Sequence, residues 1–387
     1  MNTSFIVFYG VFFLLLGSAQ YYLSLRLWPL FSAWLHCPLW LYGILTLLTG
    51  LSYPLGRLLQ SHLPAPWSTT LTVFGSYWLG VIFYGFLLFL SLDILFTLAK
   101  WSQLLSPAWQ RQDPRLAAWG FLLLLIIFGY GVWNARHPII THYDVSVDKQ
   151  CGLQELNIVM VSDIHAGRMI GNGRLSSLVE RINALKPDLI LLPGDIIDED
   201  VDVFAEENMA EQFAKLKSRF GVYATLGNHE YISRDPGSAA NYLRQGGVNV
   251  LIDQTIKIAD SIYVVGRDDL SVSRFTGKNR LELDSLLSGI DFSSPVLLMD
   301  HQPFHLEIPD QANVDLQVSG HTHQGQMFPL NFITSKLYEI DWGYLRKNHL
   351  QTIVSCGYGT WGPPLRIGNH PEIVTIKVHF TGAATPL

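Results

Sequence analysis

The chain has 387 residues, 49% of them hydrophobic, and its 32 acidic against 26 basic residues give a net charge of −6. That length leaves room for two domains, and the acidic balance argues against nucleic acid as a partner, because nucleic-acid binders present a basic footprint. Three cysteines, Cys37, Cys151 and Cys356, are too few for a disulfide framework, although Cys151 and Cys356 could pair or stay free.

Charge is spread unevenly along the chain. Residues 1–140 contain two acids, Asp93 and Asp113, and six bases, Arg26, Arg57, Lys100, Arg111, Arg115 and Arg136; the other 30 acids and 20 bases lie beyond. Four apolar stretches fill this first part, at about 5–25, 33–55, 71–99 and 116–133. Each approaches or exceeds the ~20 residues needed to cross a bilayer core. Trp and Tyr near several of their ends fit membrane interfaces. Residues 1–140 are therefore expected to form an all-α transmembrane domain of about four helices, in a multi-pass integral protein of the cell membrane whose partner is the lipid bilayer. A soluble bundle would carry more charge, and a cleaved signal peptide would begin with a basic region that the first stretch lacks.

Four spans leave both chain ends on one side. The loops at Arg26 and from Lys100 to Arg115 hold four basic residues, against Arg57 and Arg136 on the opposite face. By the positive-inside rule, the polar part that follows is expected on the extracytoplasmic face. Asp93, in "SLDILF", is the one acid inside an expected span, so it is a functional candidate by default. The third stretch is overlong, however, and a structural place near an interface is the favoured reading.

Beyond a linker at 141–152, residues 153–387 change pattern. "LNIVMVSD", "PDLILLPGD", "GVYATLGN", "SIYVVG", "PVLLMD" and "VDLQVSG" are short apolar runs that end in turns, as buried strands do. Between the first two, Leu175, Leu178, Ile182 and Leu185 recur at helical spacing until Pro187 stops them. A second helix is expected over 204–220. Strands alternating with helices indicate an α/β domain.

Most of these strands end in residues with metal-ligand chemistry. They are Asp163 and His165, then Asp195, then Asn228 and His229 in "GNHE", then His301, and finally His321 and His323 in "GHTHQG". Taken singly, each has an ordinary reading, since a strand-end Asp often caps a helix and "GNHE" suits a turn. Together they converge, because the carboxyl ends of neighbouring strands face one crevice in an open α/β sheet. Residues two apart on an extended segment share a face, so Asp163 and His165 can grip one metal. His321 and His323 can do the same, or splay if the glycines turn the backbone. Imidazole with carboxylate and amide oxygen suits manganese, zinc or iron. The set is larger than one tetrahedral ion needs.

Asp-x-His, Gly-Asp, Gly-Asn-His-Glu, a lone His and Gly-His-x-His, in that order, resemble the calcineurin-like metallophosphoesterase superfamily. The tail "SCGYGTWGPPLRIGNHPEIVTI" looks like its bacterial membrane-associated subgroup. The resemblance implies a four-layer αββα sandwich and two divalent ions, manganese first and zinc or iron next. Asp163, His165, Asp195 and His323 would hold one ion, and Asp195, Asn228, His301 and His321 the other. His229 would act as the general acid or charge stabiliser. Two ions ~4 Å apart would acidify a shared water to hydroxide and clamp the phosphate. Two positions depart from the subgroup's usual look, Gln324 after the second histidine and Asp300 beside His301.

The expected function is thus a membrane-embedded phosphoesterase, a metal-dependent phosphoric ester hydrolase. The spans point to a lipid-linked phosphate or diphosphate, with a cell-envelope precursor plausible by analogy. The segment from Gln326 to Leu350 adds Phe328, Leu330, Phe332, Ile333, Trp342 and Tyr344 to Arg346 and Lys347. That mixture suits a lipid phosphate at an interface, unless the aromatics pack beneath the loop as core. The alternatives are an anchored general phosphodiesterase or phosphatase for soluble substrates, and a tethered module with a dead site. Transport through the spans, with Asp93 as its only ionisable candidate, is the weakest.

Overall fold

The structure is a computed structural model that describes residues 3–59, 62–106 and 108–382, apart from the side chains of residues 3–6, 8, 9 and 65. Two compact units divide the chain: Met1–Trp133 with Gly362–Leu365, and Asn134–Trp361 with Arg366–Leu387.

The first unit is helical. Its helices are α1 (Thr3–Ala33), α2 (Leu39–Leu58), α3 (Ala65–Trp101) and α4 (Pro114–Asn134, whose last residue falls in the second unit). Among the described residues, α2, α3 and α4 are long and apolar enough to cross a membrane. Leu47, Leu95, Leu98 and Ile126 stay exposed on their surfaces, and Leu23, Leu27 and Phe89 pack inside. Large apolar side chains on the outside and a small apolar core suit a lipid solvent, in which helices satisfy their own backbones.

Among the described residues, the second unit contains twelve strands. The first sheet is built from β1 (Ile139–Val147), β2 (Glu155–Met160), β3 (Leu189–Pro193), β4 (Val222–Thr225), β5 (Asn249–Val250) and β12 (Glu372–Phe380). Its order is β1-β12-β2-β3-β4-β5, with β12 and β2 antiparallel and every other pair parallel. The second holds β6 (Gln254–Ile258), β7 (Ile262–Gly266), β8 (Val296–Met299), β9 (Leu316–Ser319), β10 (Gly343–Lys347) and β11 (Leu350–Val354). Its order is β10-β11-β9-β8-β7-β6, parallel from β11 through β7.

Strand alternation builds the layers. Ile158, Met160, Leu189 and Leu191 of the first sheet pack with Val264, Leu297, Met299 and Val318 of the second, forming the core between the sheets. Their sequence neighbours Val159, Ile190 and Leu192 face the opposite way, onto α5 (Asn172–Ala184) through Leu175, Leu178 and Ile182. On the far side, Val296 and Leu298 meet Leu283, Leu286 and Leu306. Helix, sheet, sheet, helix is the four-layer arrangement.

Two expectations change, and one open alternative closes. Residues 141–147, expected in the linker, belong to β1, whose Val145 and Val147 are buried and which pairs in parallel with β12. The expected helix over 204–220 is two short ones, α6 (Val201–Glu206) and α7 (Ala210–Phe213), with Asn208 between them at a left-handed φ of 49°. Cys151 and Cys356 are free; Cys356 Sγ donates to the His370 carbonyl and Cys151 lies against Ser261. Residues 383–387, assigned to the second domain, lie outside the described residues.

Candidate metal centre

Every expected ligand sits just past the carboxyl end of a parallel strand. Asp163 and His165 follow β2 and Asp195 follows β3; Asn228 and His229 open α8 (Asn228–Ile232) after β4, His301 follows β8, and His321 and His323 follow β9. Asp163, His165, Asp195, His321 and His323 all have left-handed φ, from 48° to 71°. They are therefore not on extended backbone, and the two-residue spacing does not aim them. Turns do, in a conformation that costs non-glycine residues energy and clusters at functional sites. Two motif glycines give the turns room. Gly194 has φ 83°, and a Cβ there would meet His301 Nδ1 at 2.5 Å; a Cβ on Gly320 would strike the Asp163 carboxylate.

The side chains meet in three groups, in each of which the ligand atoms lie within 4.8 Å of one another. The groups are Asp163, His165 and His323; His165, Asp195 and His229; and Asp195, His301 and His321. His321 and His323 therefore fall into different clusters, and Asp195 joins two of them. In the first group His165 Nε2 and His323 Nε2 are 3.1 Å apart, and His323 Nε2 lies 3.3 Å from Asp163 Oδ1. In the third, His301 Nε2 lies 3.1 Å from Asp195 Oδ2 and 3.2 Å from Asn228 Oδ1. His301 Nδ1 donates to the Pro193 carbonyl at 2.9 Å, which directs Nε2 to those oxygens, as the outer hydrogen bond of a metal-bound histidine does.

Charge supports the same fit. Burial, helped by Arg366, lowers His323 to about 4, and burial with the nearby His301 lowers His321 to about 4, so both imidazoles are neutral at pH 7. Burial alone would raise Asp163, but His323 and His301 outweigh it and hold the carboxyl well below its usual range. Buried carboxylates and imidazole nitrogens, converging with more lone pairs than protons, fit divalent cations.

Three supporting groups escaped the sequence reading. Glu230 is fully buried and accepts N–H bonds from Asp195, Ile196, Ile197 and Gly227 at 2.7–3.2 Å, so one carboxylate clamps two ligand-bearing loops. Asp198 Oδ1 lies 3.3 Å from His229 Nδ1 and 3.6 Å from His165 Nδ1, and Glu199 Oε1 lies 3.9 Å from His229 Nδ1. Burial opposes a charge on His229, but Asp195, Asp198 and Glu199 overcome it and raise the group to about 10. The third is Arg366, fully buried, which donates to the carbonyls of Cys356, Gly357 and Gly359 and lies 3.1 Å from His323 Nδ1. Beside it, Asn369 Nδ2 donates to the His323 carbonyl at 2.6 Å. The available signals were the extra acids of "GDIIDED" and the arginine in "PPLRIGNH".

The two departures prove different in kind. Asp300 turns away from the centre into a buried ion triad, 3.3 Å from Arg267 and 3.0 Å from Arg280. Gln324 adopts φ 47° and ψ 41°, a conformation that favours glycine, and it does not line the pocket over the centre. That pocket, of about 450 Å³, joins Asp195, Asn228, His229, His321 and His323 to an apolar side that includes Leu330, Ile333, Leu337 and Trp361. The helix Asn331–Leu337 buries none of its residues; Ile333 is 55% and Leu337 64% exposed, and Phe328, Phe332, Trp342 and Tyr344 are exposed as well. These side chains are not core beneath a loop.

Residues 156–325 match the family model described as calcineurin-like phosphoesterase. A Bacillus subtilis (strain 168) protein, "Uncharacterized metallophosphoesterase YkuE", is 30% identical over 266 residues, 66% of this chain and 90% of that one. The chain belongs to the calcineurin-like metallophosphoesterase family. A metallophosphoesterase of Aquifex aeolicus (strain VF5) is 28% identical, over 63% of this chain and 92% of its own length. The Danio rerio "Transmembrane protein with metallophosphoesterase domain" is 30% identical over 268 residues, 66% of this chain. The chain spans about three fifths of that protein and of its Bos taurus counterpart, 61% and 62%. The metallophosphoesterase match lies within the second unit and contains every expected ligand up to His323.

Proposed function

We propose that this protein is a membrane-embedded, binuclear-metal phosphoesterase that hydrolyses a phosphoester or diphosphate bond in a lipid-linked substrate, such as a cell-envelope precursor. The observation that carries the lipid reading is the pocket, in which phosphate-handling residues face exposed Ile333 and Leu337. An amphiphile with a phosphate head and an apolar body matches both sides of it. Four membrane-crossing helices, α1 included, would hold the enzyme where such substrates reside. Arg26 in the last two turns of α1, with Lys100, Arg111 and Arg115 around the α3–α4 connection, outnumbers Arg57 and Arg136 and favours the extracytoplasmic face for the catalytic unit.

In this reading Asp163, His165, Asp195 and His323 hold one ion, and Asp195, Asn228, His301 and His321 hold the second. Such ions, manganese by preference, would supply a nucleophilic water at neutral pH and positive charge for the phosphoryl oxygens. Asn228 is a neutral ligand, so the centre keeps more positive charge for an anionic substrate. Asp198 and Glu199 hold His229 as an imidazolium at Nδ1, and His229 delivers its proton to the departing oxygen. Glu230 keeps the 195–197 loop in register with Gly227 while this happens.

The test is a hydrolysis panel with the full-length protein in detergent and added manganese. Phospholipids, isoprenoid diphosphates and nucleotide-linked lipids are compared with soluble mono- and diesters. Ile333→Glu is expected to lower kcat/KM for lipid-linked substrates about tenfold, the scale of one buried aliphatic side chain, and to spare soluble diesters. Equal rates across the panel with equal losses in the variant would replace the lipid reading by a general phosphodiesterase.

A further inference from the structure

The helical unit contains a cavity of about 390 Å³ that the catalytic reading does not use. Its polar end is a charge cluster. Arg26 Nη2 of α1 lies 3.0 Å from Asp93 Oδ1 of α3, and Tyr22 Oη donates to Asp93 Oδ2 at 2.5 Å. Arg111 brings a second guanidinium, its Nε 3.8 Å from Asp93 Oδ1 and its Nη2 donating to Thr97 Oγ1 at 2.6 Å. Arg26 Nη1 donates to the Arg111 carbonyl, yet Arg26 Nε is buried with no hydrogen-bond partner among the described residues.

Two guanidinium groups against one carboxylate give this cluster a formal excess of one positive charge, carried by the half-exposed Arg111. Around it the cavity is apolar and includes Leu95, Trp119 and Leu123, each exposed on the helix surface. An unbalanced charge beside apolar walls is costly unless an anion answers it. The cluster also lies near a helix end. Asp93 is eight residues from Trp101, where α3 stops, about 12 Å at the helical rise. That is the depth at which a long span meets headgroups.

We propose that this cavity seats one anionic phospholipid, with its phosphodiester on Arg26, the Arg111 charge behind it, and an acyl chain along Leu95, Trp119 and Leu123. The proposal rests on reading α1–α4 as membrane spans and is independent of the substrate. Basic pockets between spans on the side with more basic loops are the expected place for such headgroups. A zwitterionic lipid would add an ammonium group to a cluster that is already positive, so the site should discriminate by charge.

The full-length protein is exchanged into nanodiscs that contain phosphatidylglycerol and phosphatidylcholine in equal amounts. Lipid retained through detergent purification is then counted by native mass spectrometry. The wild type is expected to keep one phosphatidylglycerol per chain. Arg111→Gln should weaken retention about fivefold, the scale of one basic residue at an anionic surface. Asp93→Asn should strengthen it, because the competing carboxylate is gone. Helical circular dichroism confirms that each variant is folded, and Arg26→Gln repeats the test where Arg111→Gln is not. Equal retention of both lipids by the wild type, or Asp93→Asn weakening retention as Arg111→Gln does, would overturn the proposal. Extraction of the chain from membranes by alkaline carbonate would instead defeat the membrane reading on which it rests.

Discussion

Both units draw acids away from solvent, partly for Asp93 and almost wholly for Asp163 and Asp195, and they answer them differently. In the helical unit the Asp93 carboxylate meets Arg26 at 3.0 Å and the Tyr22 hydroxyl, so the chain supplies its own counter-charge and donor. In the catalytic unit Asp163 and Asp195 are buried among His165, His301 and His323, whose ring nitrogens turn toward them and toward one another. Burial keeps His321 and His323 neutral, so their ring nitrogens are available as lone-pair donors. A buried acid answered by the fold is a structural feature, whereas acids and lone pairs converging on a common point need a cation. The same contrast recurs inside the catalytic unit, where Asp300 is paired with two arginines and its neighbour His301 faces the centre.

The sharpest way to break this comparison is at Asp195, which belongs to two of the three clusters. Asp195→Ala is expected to lose both ions by elemental analysis and to reduce hydrolysis to background. A variant that still carried two ions would show that the clusters are not a shared site. Chelation of the wild type should also lower its thermal midpoint, with manganese restoring it. An ion held at a hundred times its Kd contributes about 2.7 kcal/mol that the metal-free protein lacks. His229→Ala is the next largest effect. It should keep two ions per chain and lose about 10²–10⁴-fold in turnover, the range of a general acid. Loss of metal in that variant would move His229 from proton delivery to coordination.

The parts of this site that were legible in the sequence are those tied to strand ends. Asp163, Asp195, Asn228, His301 and His321 each follow an apolar run that must be a buried strand, so hydrophobic pattern alone brings them to neighbouring turns. The groups that hold them in place carry no such signal. Glu230 acts only because the β3 and β4 loops meet around it, and Arg366 only because the tail returns to His323. Edge elements were obscure for a related reason. β1, "IITHYDVSV", is polar through its middle and mostly exposed along its first half, so nothing distinguished it from a linker until β12 paired with it. The expected helix over 204–220 breaks at left-handed Asn208, which period counting does not register, and the helical stretch ends at Phe213.

A smaller effect separates the two roles of charge around His229. Its folded pKa is raised by Asp195, Asp198 and Glu199 against burial, so the imidazolium is present below that pKa and is lost as pH rises through it. The rate should therefore fall on the alkaline side. Asp198→Asn removes one of the raising charges and should shift the alkaline limb of kcat to lower pH, with a smaller loss at neutral pH than His229→Ala. An unmoved limb in a variant with normal metal content would assign the limb to a different group.

The smallest expected effect on catalysis is at Asp300, and it tests the comparison from the other side. Asp300 adjoins His301 in sequence, so proximity alone would make it a regulator of the centre. Its carboxylate instead binds Arg267 and Arg280, all three side chains being nearly inaccessible. Asp300→Asn leaves two buried guanidinium groups facing a neutral amide, which should cost about 3 kcal/mol of stability. The metal content and kcat of the protein that remains folded should match the wild type. Thermal unfolding read beside elemental analysis separates the outcomes. A large stability loss with two ions retained identifies a charge answered by the fold, and lost metal in stable protein would place Asp300 within the catalytic electrostatics.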